Sequence, residues 1–122
     1  MAKITLIGIE PTAAKQLSLA LDVGSHLIES KSQTCPTSDF NDCDLVFVNG
    51  EGKKYLPLLK DLRKARPELP FVVVTRIPNI SEWLDALEAG ATDYCSAPFE
   101  PRQMRWLVQS ALSSSHNRTA AA

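Results

Sequence analysis

The sequence predicts an α/β domain: a doubly wound, five-stranded parallel sheet whose second helix is shortened or replaced by a turn. Three observations carry this. Short apolar runs rich in β-branched residues alternate with stretches of helical periodicity. Two of the runs, 45–48 and 71–74, are continuously apolar, as strands covered on both faces must be. Most of the intervening segments are long enough for the crossover helices that parallel strands require.

Each element has its own local signal. Ile4-Thr5-Leu6-Ile7-Gly8-Ile9 reads as the first strand, and Glu10-Pro11-Thr12 opens a helix with proline in its first turn. Leu17, Ala20 and Leu21 give that helix one apolar face, and Gly24 is its stop. His26-Leu27-Ile28-Glu29-Ser30 reads as the second strand. The next crossover, SQTCPTSDFNDC over 32–43, is made of turn formers and leaves room for at most one helical turn. Leu45-Val46-Phe47-Val48 is the third strand. Leu58, Leu59, Leu62 and Ala65 mark a helix that must end before Pro67. Phe71-Val72-Val73-Val74 is the fourth strand, followed by a helix over 81–88 that stops at Gly90 and a short fifth strand over 93–96. The last helix begins near Pro101 and turns Met104, Val108, Ala111 and Leu112 inward. Residues 114–122 lack apolar periodicity, so the domain is expected to occupy 1–113, with a frayed tail or linker beyond it.

Composition narrows the function. The 122 residues carry a net charge of −1, which offers no electrostatic footprint for direct nucleic-acid or membrane binding. No apolar run approaches the roughly 20 residues of a membrane span, and no signal peptide is expected. Three cysteines without paired spacing fit a reducing cytoplasm. Cys95 is expected in the core. Cys35 and Cys43 fall in a polar loop without adjacent partners, so neither a metal nor another cofactor is expected. His26 and His116 sit at a strand start and in the tail, and no nucleophile–base pair supports an enzyme. The Asn-x-Ser/Thr matches at Asn79 and Asn117 carry no weight in a cytoplasmic chain.

Ligand chemistry in an open parallel sheet sits at the carboxyl ends of the strands. Those ends are Gly8-Ile9-Glu10, Asn49-Gly50-Glu51, Thr75-Arg76 and Ser96-Ala97. Together with Asp44-Leu45-Val46-Phe47-Val48, the link 62–70 and the segment FVVVTRIPNISEWLDALEAGATDYCSAPF over 71–99, they resemble a response-regulator receiver domain of the CheY-like, flavodoxin-like kind. The resemblance runs from Lys3 to about Leu112. It implies that the acidic pair holding Mg²⁺ falls on Gly8 and Ile9, with Glu10 following. It places the phosphoacceptor aspartate on Asn49, the hydroxyl residue on Thr75, the switch aromatic on Tyr94 and the lysine of the usual Lys-Pro-Phe on Ala97. An amide cannot become an acyl phosphate. Gly8 and Ile9 offer no side-chain oxygen to a hard cation, and Ala97 supplies no positive charge to a phosphoryl group. The resemblance therefore implies a degenerate site on an intact scaffold.

Competing readings stand beside this one. Glu10 and Glu51 could form a displaced metal site, or could be ordinary solvated glutamates. Asn49-Gly50 could deamidate, or simply make a tight turn after a strand. Thr75 and Tyr94 could retain a switch that couples the site to the surface of the family's fourth helix, fifth strand and fifth helix. Equally, threonine suits a strand end, and tyrosine a half-buried edge with its hydroxyl in water. Trp83 could face outward with Tyr94 and Leu107 as a partner patch, flanked by Trp106 and rimmed by Arg102 and Arg105, or it could fold onto the next helix and complete the core.

The function expected is a phosphorylation-independent bacterial signalling module acting through protein contact or homodimerisation on that face, controlled by partner binding, dimerisation or a small ligand. It could stand alone or be the regulatory part of a larger regulator whose effector lies outside this sequence. The alternative is a small α/β domain that binds a phosphate-bearing ligand at the strand ends through Asn49, Thr75, Ser96 and backbone amides. The loop Glu10-Pro11-Thr12 lacks the glycines that cradle phosphate.

Overall fold

A computed structural model describes residues 3–21, 26–31, 40–77, 79–97 and 99–121, with side chains to Leu112. Its elements are β1 (Lys3–Ile7), α1 (Pro11–Leu21), β2 (Leu27–Lys31), β3 (Leu45–Asn49), α2 (Leu56–Ala65), β4 (Phe71–Thr75), α3 (Ile80–Glu88), β5 (Asp93–Ser96) and α4 (Pro101–Ala121). A single 3₁₀ turn, Glu51–Lys53, follows β3. The strands form one sheet in the order β2-β1-β3-β4-β5, parallel throughout. The expected doubly wound sheet is therefore present. Asn79 supplies a cap that the sequence reading passed over: its Oδ1 accepts from Glu82 N at 3.2 Å, so the helix expected over 81–88 starts at Ile80.

Alternation along the central strands builds two apolar layers. Leu45 and Phe47 of β3, with Val72 and Val74 of β4, pack with Leu17 and Leu21 of α1 and with Met104, Leu107 and Val108 of α4. Val46, Val48, Phe71 and Val73 face the opposite layer, against Tyr55, Leu58, Leu59 and Leu62 around α2 and Ala86 of α3. Burying both faces explains why these strands read as unbroken apolar runs. The edge strand β2 is largely exposed, which explains its mixed composition.

Three expectations need revision. Cys43, assigned to a polar loop, is buried, and its sulfur lies 3.2 Å from Thr5 Oγ1 and 3.1 Å from Leu45 O. Phe40 and Cys43 pack into the apolar layer around α2, and Arg66 secures the turn between them by donating from its guanidinium to Phe40 O and Cys43 O at 2.6 Å each. Secondly, the expected tail is helical as far as Ala121, continuing α4. Thirdly, Leu107, expected on the partner surface, is 7% exposed. Met104, Leu107, Val108 and Ala111 form one i, i+3, i+4, i+7 row, so helical geometry turns Leu107 inward with the others. The shortened second helix falls largely on 32–39, outside the described residues, as does Cys35.

Candidate functional site

The carboxyl ends of β1, β3 and β4 enclose a hollow of about 40 Å³ lined by Ile9, Glu10, Asn49, Glu51, Thr75 and Arg76, with Ala13, Val74 and Phe99 completing its wall. A space of that size admits a few water molecules. Of the six positions of the expected site, Ile9, Glu10, Asn49 and Thr75 meet here. Gly8 and Ala97 are not among the lining residues. Ala97 instead donates its N–H to Thr75 O at 3.1 Å, extending the strand pairing.

Asn49 is engaged locally. Its side-chain oxygen accepts from Glu51 N at 3.0 Å, closing the tight turn that Asn-Gly suggests. Gly50 is required there for space: a Cβ would stand 2.5 Å from Val73 Cγ1 and 2.9 Å from Thr75 Cγ2. Arg76 spans the rim of the hollow. One guanidinium nitrogen lies 3.5 Å from Glu10 Oε2 and another 3.4 Å from Glu51 Oε1. The two carboxylates are thus joined by an internal cation. With Gly8 and Ile9 offering no side-chain oxygens, this donor set does not fit Mg²⁺. Among the described residues no cluster of three or more His, Cys, Asp or Glu is placed to hold a metal ion.

A hydrogen-bonded chain leaves the hollow on its other side. Tyr94 Oη lies 2.8 Å from Thr75 Oγ1, so the tyrosine hydroxyl is not left to water. Asn79 N donates to Tyr94 Oη at 3.3 Å, and Thr75 Oγ1 donates to Ile77 O at 3.3 Å. One direction satisfies every oxygen: Asn79 N–H to Tyr94, Tyr94 O–H to Thr75, Thr75 O–H to Ile77. The Trp83 ring stacks on Tyr94 with centroids 6.4 Å apart and an interplanar angle of 25°. Trp83 remains 43% exposed and Trp106 67%. Of the residues expected on that surface, Trp83 stacks on Tyr94 and Trp106 is exposed, whereas Leu107 is not.

The sheet order, the helix placement and this site can be set beside known proteins. The receiver-domain protein (CheY-like) from Methanospirillum hungatei superposes with a TM-score of 0.80 at 16% identity, covering 97% of this chain and 98% of that one. The chain has the fold of a CheY-like receiver domain. NtrX from Brucella abortus superposes with a TM-score of 0.84 at 24% identity, over 98% of this chain and 29% of NtrX. In sequence, the receiver is 30% identical over 112 residues to the response regulator protein FleR of Pseudomonas aeruginosa, covering 88% of this chain and 24% of FleR. It is 27% identical over 90 residues to the DNA-binding transcriptional regulator NtrC of Escherichia coli, covering 74% of this chain and 18% of NtrC. The chain spans a quarter or less of the length of these curated relatives. No protein-family model matches it.

Sequence reasoning placed the receiver's strand ends correctly but gave Arg76 no role. A charge just after a strand is unremarkable in one dimension, and its two acidic partners come from loops 66 and 25 positions away. Asn79 was likewise noticed only as a modification motif. Its place one residue before an apolar helix was the available signal of a cap.

Proposed function

We propose that this receiver domain is a phosphorylation-independent signalling module that works through protein contact and has no enzymatic activity of its own. The observation that carries the reading is Asn49. A neutral amide stands at the acceptor position and its oxygen is already committed to Glu51 N. Support comes from Arg76 bridging Glu10 and Glu51 where the acceptor chemistry would need a metal, and from Ala97 in place of a lysine. Control would come through partner binding or association on the α3–β5–α4 face, where Trp83 and Trp106 are exposed. By likeness to NtrC, the output would be gene control, exerted by a partner or by an effector segment outside this sequence. The phosphate-ligand alternative is weakened by the two carboxylates, Glu10 and Glu51, on the hollow's rim.

Incubation with acetyl phosphate and Mg²⁺ followed by intact mass spectrometry tests the reading. No mass gain is expected, and a stoichiometric acyl phosphate would overturn it. Asn49→Asp restores only the nucleophile and is also expected to stay unmodified, because the metal cage and the lysine remain missing.

A further inference from the structure

Helix α3 carries its apolar row on the outside. Ile80, Trp83, Leu84 and Leu87 are 71%, 43%, 54% and 39% exposed, and Ala86 is its buried residue. The i, i+3, i+4, i+7 spacing puts these four on one stripe about 10 Å long. Ile77, 77% exposed, lies just ahead of it. Such a stripe on a short helix ordinarily faces a core, so its outward placement marks an interaction site. Acidic side chains border it: Glu82, Asp85 and Glu88, with no Lys or Arg in the helix. Asp85 is answered by Lys53 Nζ at 2.7 Å, which leaves an acidic excess at Glu82 and Glu88. The stripe is also pre-organised, since the Asn79 cap fixes the start of the helix and Tyr94, tied to Thr75, supports the Trp83 ring.

We propose that this stripe docks an amphipathic helix of a partner protein, one whose apolar row is flanked by Lys and Arg. This rests on the protein-contact reading above and names the partner's chemistry. A helical occupant follows from the spacing, because rows at i±3 and i±4 pack into the grooves of another helix. A basic flank follows from the carboxylates along the row. A second copy of this chain is a poor occupant. Its α4 row of Met104, Leu107, Val108 and Ala111 and its α2 row of Leu58, Leu59 and Leu62 are already buried. The basic residues of α4, Arg102 and Arg105, flank a single exposed large apolar residue, Trp106. Pairing α3 with α3 would set acid against acid.

The probes are two cross-linked helical peptides of about four turns, both with a leucine row at i, i+3, i+4, i+7, one flanked by Lys and Arg and the other by Glu. Calorimetry and amide chemical-shift mapping on the intact chain give the readout. The basic peptide is expected to bind about tenfold or more tighter than the acidic one and to weaken with salt, with shifts centred on Trp83, Leu84 and Leu87. Trp83→Ala and Leu84→Ala should each lower its affinity about tenfold with unchanged circular dichroism. The paired change Glu82→Lys and Glu88→Lys should reverse the peptide preference. Equal affinity for both peptides, no binding, or shifts that map elsewhere would overturn the proposal. So would self-association in sedimentation that Leu84→Ala abolishes. A stoichiometric acyl phosphate on any carboxylate of the chain would instead sink the functional reading and leave the peptide result standing.

Discussion

Removing the Tyr94 hydroxyl while keeping its ring separates two jobs of one side chain. Tyr94→Phe retains the surface on which Trp83 stacks but deletes the link between Asn79 N–H and Thr75. A net hydrogen bond contributes about 1 kcal/mol, so urea denaturation should show a loss of that order. Thr75→Val, which breaks the same chain at its buried end, should cost a similar amount. The double variant should cost less than the sum, because both changes remove one network. Arg76 is the other residue whose removal is informative. Arg76→Ala leaves Glu10 and Glu51 facing the hollow without their shared cation. Little change in stability is expected, since exposed ion pairs contribute little. Paramagnetic Mn²⁺ should broaden the amide resonances of Glu10 and Glu51 more in the variant than in the parent chain.

At the scale of elements, α4 offers a sharp contrast between adjacent residues. Leu107→Ala cuts into the layer shared with Met104 and Val108 and should cost about 2–4 kcal/mol in denaturant titration. Trp106→Ala, at 67% exposure, should fall within about 0.5 kcal/mol of the parent. Gly50→Ala should cost about 1–3 kcal/mol, because its methyl would meet Val73 of β4. The sheet was legible in the sequence because each strand carries its own burial pattern, and Phe71-Val72-Val73-Val74 needs no partner to be recognised. The amide at position 49 was legible too, since its chemistry is a property of that residue alone. What escaped were relations between distant segments. Arg66 ties the turn that holds the buried Cys43 across 23 positions, and Arg76 joins two loops. The misplacement of Leu107 differs in kind: its own helical row pointed inward, and the expectation followed family resemblance over local periodicity.

For the whole molecule, alkaline pH is the informative perturbation. Burial pushes the Cys95 thiol up to about 12, and burial also raises Cys43 and Tyr55 above their ordinary values. The folded state therefore keeps protons that the unfolded chain releases. Stability from these groups is intact below the ordinary thiol value and declines as pH rises through the interval from there to about 12. Melting temperature should thus fall progressively between about pH 9 and pH 11, and Cys95→Ala should flatten part of that slope. The packing around β3 and β4, rich in Phe, Val and Leu with Tyr55 the largest side chain, holds no tryptophan. Both indoles of the chain, Trp83 and Trp106, lie at the surface. Intrinsic fluorescence excited at the indole band is consequently a detector for that exterior, nearly deaf to the interior. An emission shift without any change in tyrosine or far-ultraviolet signal would announce an arriving partner, and a melt that the tryptophans barely register would still be a real unfolding.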